Sequence, residues 1–364
     1  MTALGRFAAD GLPVLIGSLP LRSHEQAMDW IFEATPEIPL WPQLPSDPRE
    51  QMLPQFAEGI PCIIEKNTSA PQGSIFFDTG YPGYEEAMLT FYEAYLQAAE
   101  RPELPPDSIF ATSRERAAGL YLLAERLQTA KVLAGKGQVT GPFTMLTGIK
   151  DEEGRAGYFD ESIRDMVTKG IAMKAAWQTA FLRKCKQPVL MFIDEPALAG
   201  LGSSAFISVT AEEIQEMINE VTTAVHRAEG LAGIHVCANT DWGMLLASDI
   251  DILSFDAYNF FDRLAPLTAE LDAFLSRGGI LAWGGVPTGR AEDIAAESVQ
   301  SLCARWEAQM DILAATGRSK AELLRQTLIT PSCGTGSLSQ EMAHRVLVLT
   351  RDVSRSLRQK FFNQ

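Results

Sequence analysis

The chain has no apolar run of the roughly 18 residues that a membrane-spanning helix requires, and Met1 to Phe7 lacks the apolar stretch of a secretion signal. Both absences lead to the expectation of a cytoplasmic protein. Positive charge is short as well: 31 lysines and arginines face 46 aspartates and glutamates, a net charge of −15. Nucleic acids and anionic membranes need a basic footprint on their partners, so this balance argues against both. The basic stretch Arg351 to Lys360 reads as the solvated face of a last helix. Cysteines are few and odd in number: Cys62, Cys185, Cys237, Cys303 and Cys333. Their wide scatter argues against a disulfide framework. Cys185 lies between Lys184 and Lys186, and Cys303 lies in an amphipathic pattern, so both read as surface or packing residues, as does Cys62. Of the 4 histidines, His24, His226 and His344 fall on helical patterns. That leaves His235 as the unusual one.

What is present is ordinary globular material, with 46% hydrophobic and 21% charged residues. Short apolar runs suited to buried parallel strands alternate with amphipathic stretches. The runs are Val14 to Ser18, Ile38 to Gln43, Gly137 to Pro142, Val189 to Ile193, Ala232 to Cys237, Asp251 to Asp256, Ile280 to Gly284 and Thr327 to Ser332. Helical spacing marks His24 to Phe32, Ser162 to Lys184, Ala211 to Arg227, Ala291 to Ala315 and Gln340 to Leu357. The expected fold class is α/β, a (β/α)8 TIM barrel formed by residues 1–364 as a single domain. Residues 52–134 are too many for one connection. They read as an insertion between strands 2 and 3, with a hairpin around Cys62 to Phe77 and helices near Glu85 to Ala99 and Arg114 to Ala130.

Barrel enzymes carry their chemistry at the carboxyl ends of the strands. There the runs close in Gly17-Ser18, Gln43, Thr140-Gly141-Pro142, Asp194-Glu195-Pro196, His235 with Cys237, Asp256, and Cys333. His235 and Cys237 stand two apart on one strand face, so both can grip one ion while Val236 points away. An imidazole and two thiolates are a zinc donor set, and Asp256 on the next strand is a candidate fourth ligand. A histidine beside a cysteine also occurs in apolar cores. A structural zinc is the other reading, but such sites take ligands from closely spaced pairs, whereas these are spread along the chain. Zinc held by thiolates is a weak Lewis acid yet keeps a bound thiol deprotonated and nucleophilic, which suits thiol alkylation. Of the acidic pair Asp194 and Glu195, one can accept a substrate ammonium while the other caps the following segment or hydrogen-bonds behind a ligand, and a capping role alone for both is the plainer reading. Gly17-Ser18 can present backbone amides to a carboxylate, or be a plain turn.

Ile16-Gly17-Ser18, Thr140-Gly141-Pro142, Ile193-Asp194-Glu195-Pro196-Ala197-Leu198, His235-Val236-Cys237 and Ser332-Cys333-Gly334 resemble, in the same order, the catalytic barrel of cobalamin-independent methionine synthase. That family is related to uroporphyrinogen decarboxylase and to zinc methyltransferases that work with corrinoid proteins. The resemblance implies a zinc site of His235, Cys237 and Cys333, with Asp256 where the family has glutamate. It also implies that Ile16, Gly17, Ser18 and Asp194 contact homocysteine.

The chain departs from that pattern on the methyl-donor side. Gly148 stands where the family has a tryptophan that contacts folate, Ala199-Gly200 replaces a folate-contacting glutamate, and Trp283-Gly284-Gly285-Val286-Pro287 lacks the expected proton-donating histidine. The glutamate expected after strand 2 is not evident near Gln43 to Asp47. A folate amine must be protonated to leave, whereas a methylcobalt donor needs no general acid. The expectation is therefore a zinc methyltransferase that moves methyl from a corrinoid, methylcobalamin or a methyl-corrinoid protein, to homocysteine, giving methionine. The alternatives are another thiol acceptor, a folate donor, or a noncatalytic zinc or corrinoid-docking barrel.

Overall fold

In the second half of the chain the apolar runs form the strands they suggest. The computed structural model describes residues 7–66, 74–100, 104–185, 187–314 and 317–363. A two-stranded antiparallel hairpin, β1 (Ile63–Lys66) and β2 (Ser74–Phe77), precedes six parallel strands. These are β3 (Gly135–Thr140), β4 (Val189–Asp194), β5 (Leu231–Val236), β6 (Ile252–Phe255), β7 (Ile280–Val286) and β8 (Thr327–Pro331), hydrogen-bonded in chain order. Every residue of the six is buried, which is why β4 to β8 read as largely apolar runs rather than alternating ones, while β3 carries the buried polar residues Lys136 and Gln138.

The first two expected strands take a different form. Residues 12–18 and 38–43 make isolated parallel bridges, Pro13 with Ile329 of β8, Ser18 with Gln43, and Leu40 with Lys136 of β3. The two edges of the sheet are thus joined through two short extended segments. Pro13, Pro39 and Pro42 remove backbone donors and prevent a continuous ladder. Side chains replace some of the missing bonds. Gln138 Nε2 donates to the Trp41 carbonyl at 3.0 Å, and Trp41 Nε1 donates to Gln178 Oε1 at 2.9 Å. Inside the sheet an apolar floor of Val14, Ile38, Leu190, Leu231, Ile252 and Leu328 fills one end.

The helix His24–Ala34 begins on the Ser23 hydroxyl, and the helix Ala211–Arg227 begins on a reciprocal cap between Thr210 and Glu213. The long helix expected over residues 291–315 is two, Ala291–Ala296 and Val299–Leu313. Ser298 caps the second with its side chain, which competes with continuing the first. Between residues 52 and 134 lie the hairpin and the helices Tyr84–Ala99 and Ala118–Leu127. The second is shorter than its pattern because Arg116 turns its carbonyl to Gln55 Nε2 and its guanidinium to the Pro54 carbonyl. Among the described residues no helix is long and apolar enough to cross a membrane.

Candidate metal centre

β5 ends with His235 on its inner face and Cys237 just beyond, while Cys333 follows the end of β8. The ligand atoms of these three residues all lie within 4.8 Å of one another. Metal–ligand bonds of about 2.0–2.3 Å put the donors of a tetrahedral zinc roughly 3.5–4 Å apart, so the cluster is of the right size. His235 is buried, and its Nδ1 lies 2.9 Å from the buried Ser254 Oγ on β6. With the Nδ1 proton given to that hydroxyl, the lone pair sits on Nε2, which is buried and has no hydrogen-bond partner among the described residues. An unpartnered imidazole nitrogen beside two sulfurs is what a metal would satisfy. The Cys333 thiol hydrogen-bonds to Cys237 and holds Cys237 down, to about 4, while burial opposes the shift. The same bond, with burial, pushes Cys333 up. One proton leaves this sulfur pair readily, and the second needs a cation in its place.

The other expected site residues divide. Asp194 pairs in register with Thr140 on one side and His235 on the other. Its Oδ1 is buried without a partner among the described residues, and burial raises its pKa against the pull of Lys136 and His235. Glu195 turns the other way. Its carboxylate accepts the Phe143 N–H at 2.9 Å, the Thr144 N–H at 2.8 Å and the Thr144 hydroxyl at 2.5 Å. It therefore caps the helix Pro142–Gly148 that follows β3, and burial pushes its pKa up to about 7. Gly141 makes room for it, since a Cβ there would stand 2.2 Å from the Glu195 carboxyl. Two motifs distant in sequence thus form one joint.

Ile16, Gly17 and Ser18 lie beside the Cys333 loop. Ser18 Oγ accepts the Gly336 N–H at 3.2 Å, and the Ser18 carbonyl accepts both the N–H and the hydroxyl of Thr335 at 3.0 Å. A Cβ on Gly334 would meet Ser18 Oγ at 2.2 Å. Asp256, the expected fourth ligand, lies outside the cluster of three, though near enough for the Cys237 charge to act on it. It caps the helix Ala257–Leu264 instead, with Oδ1 accepting the Asn259 N–H at 3.0 Å and Oδ2 accepting Asn259 Nδ2 at 2.7 Å. An aspartate just before a helix is as good a cap as it is a ligand, and its short side chain serves the nearer partner. Three residues carry no signal in the sequence. Ser254 and Thr330 are small polar residues on strands, Thr330 with a buried hydroxyl that has no partner among the described residues, and Lys136 is a charge on a buried strand.

No family model and no curated protein matches the sequence. Among solved structures the chain is similar to a B12-independent methionine synthase from Shewanella sp. W3-18-1 in complex with selenomethionine, with 17% identity over 66% of this chain and 68% of that one and a TM-score of 0.46. It is also similar to tandem catalytic modules of a pneumococcal exo-β-D-N-acetylglucosaminidase, with 11% identity over 95% of this chain and 85% of that one and a TM-score of 0.45. A β-mannanase from Alicyclobacillus acidocaldarius gives 13% identity over 74% of this chain and 90% of that one, with a TM-score of 0.39. Scores at this level assign no family and no chemistry.

Proposed function

We propose that His235, Cys237 and Cys333 bind a zinc ion and that the chain is an enzyme that methylates a thiol, with homocysteine as the best-matched acceptor. The observation that carries this reading is the convergence of one imidazole and two sulfurs within 4.8 Å, with the imidazole nitrogen buried and without a hydrogen-bond partner among the described residues. Zinc in such a donor set supplies the positive charge that keeps an incoming thiol deprotonated without quenching its nucleophilicity. The remaining residues orient and select. Ser254 fixes the His235 tautomer, Asp194 offers its free oxygen to the substrate ammonium, and the Ile16–Ser18 backbone meets the carboxylate. Glu195 and Gly141 set the helix Pro142–Gly148 beside this wall. The motif order shared with the methionine synthase barrel supports the same assignment. We read the bridged segments 12–18 and 38–43 as the first two staves of an eight-membered ring in one domain, with residues 52–134 inserted between the second and third.

The methyl donor, expected from the sequence to be a corrinoid with a folate as the alternative, is the finer question. The deciding experiment therefore supplies the donors separately. Zinc-loaded protein with homocysteine is incubated with methyltetrahydrofolate or with methylcobalamin, and methionine is quantified. Methionine formed by the wild type, together with loss of both zinc and product in Cys237→Ala and Cys333→Ala, is the expected result. Zinc retained at full stoichiometry in Cys333→Ala would refute the site. Zinc bound without methionine from either donor would refute the transferase.

A further inference from the structure

β5 and β8 stand apart in the sheet, with β6 and β7 between them, yet the residues that follow them bring two sulfurs together. Cys237 lies one residue past the end of β5 and Cys333 two past the end of β8, so neither is held in a strand. Both are half-buried, and their sulfurs lie within 4.8 Å of each other. A disulfide needs about 2.05 Å between its sulfurs, so the pair has to close by at most about 3 Å, a distance that side-chain rotation outside the strands can cover. The other three cysteines are placed elsewhere. Cys62 is fully buried, Cys185 Sγ donates to the Ala124 carbonyl at 3.5 Å, and Cys303 Sγ donates to the Val353 carbonyl at 3.9 Å. A metal and a bridge exclude each other, because the ligand is the thiolate and a disulfide sulfur has given up that charge.

We propose that Cys237 and Cys333 are also a thiol-oxidation site, which a hydroperoxide closes into a reversible disulfide when no metal occupies it, removing two of the three ligands. With hydrogen peroxide, one sulfur attacks an oxygen, the O–O bond breaks, and a sulfenic acid and one water result. The other sulfur then displaces the sulfenic oxygen as a second water and the S–S bond forms. Two electrons and two thiol hydrogens thus reduce the peroxide.

The protection that zinc gives rests on the metal-centre reading, so bridge and metal are measured separately. Metal-free and zinc-loaded protein are titrated with hydrogen peroxide, while peptide mapping, free-thiol counts and zinc release are followed. The metal-free wild type should lose two free thiols and yield one cross-linked peptide pair holding Cys237 and Cys333, and dithiothreitol should restore both thiols and zinc binding. With free zinc at about ten times its dissociation constant the bridge should form about tenfold more slowly, since only the empty site is open to it. A sulfinic acid on either residue without a bridge, a bridge to any other cysteine, or a bridge that forms equally fast with zinc present would overturn the proposal. A protein that bridges but never binds zinc sinks the metal reading and leaves the sulfur pair, whereas one that binds zinc but never bridges when emptied sinks only the oxidation site.

Discussion

Ser254→Ala tests the metal centre without touching a donor atom. The serine is fully buried, and its hydroxyl lies 2.9 Å from His235 Nδ1, so no bulk water can replace the bond when the oxygen is removed. Partners of this kind typically carry about 10–100-fold in metal affinity, because they fix both the tautomer and the ring orientation. That range corresponds to about 1.4–2.8 kcal/mol of zinc binding. Burial of the whole imidazole places this site toward the upper part of it. The orphaned Nδ1–H also costs the fold about 1–3 kcal/mol. Competition against a chromophoric zinc chelator at fixed pH reads the affinity, and a denaturant midpoint reads the stability. Ser254→Thr, which keeps the hydroxyl on a strand that favours β-branched residues, should recover most of both. An alanine variant that binds zinc within about twofold of the wild type would refute the assignment of His235 Nε2 as a ligand.

Asp256→Asn should leave zinc stoichiometry unchanged, since asparagine still caps the helix Ala257–Leu264; metal analysis showing loss would restore the aspartate as a ligand. Gly141→Ala should lower stability, read from the denaturant midpoint, by about 1–3 kcal/mol or more, because the new Cβ meets the buried Glu195 carboxyl at 2.2 Å. His226 donates to Asp251 at 2.8 Å, and that bond raises its pKa above the ordinary 6.5. A raised histidine stabilises the fold fully below the unfolded pKa and loses that contribution as pH rises through the folded one. Stability measured from pH 6 upward should therefore decline in the wild type more than in His226→Gln, and identical slopes would disprove the pairing.

The strands β4 to β8 are legible in the sequence because parallel strands buried on both faces leave nearly continuous apolar runs, whereas β3, with Lys136 and Gln138, is legible only in part and begins two residues before its expected start. The segments 12–18 and 38–43 are legible as apolar but not as irregular. Their prolines deny the ladder its donors, and the glutamine side chains that compensate come from β3 and from the helix Glu161–Arg183, far off in sequence. His235, Cys237 and Cys333 stand out from composition alone, since soft donors at strand ends are rare. Asp256 does not, because the residue after a strand and before a helix serves two trades and only the coordinates show which. Ser254 and Lys136 carry no motif: one is small, the other looks like an interruption, and their meaning is in what they touch. The acidic pair reads as one cap and one substrate contact without saying which is which, and Glu195 proves to cap not the segment that follows it but the helix opened by Gly141-Pro142 on the neighbouring strand.

Ser18 gives the loop after β8 its seat through three hydrogen bonds, although the two segments are separated by most of the polypeptide. A nascent chain that has emerged only as far as Cys237 carries His235 and one sulfur of the trio, and nothing yet to bring Cys333 to them. If these three residues hold a metal, its tight uptake would wait until β8 has docked against the segment 12–18. The ion would act as a seal on that docking, which would make the rate of zinc acquisition a clock for it.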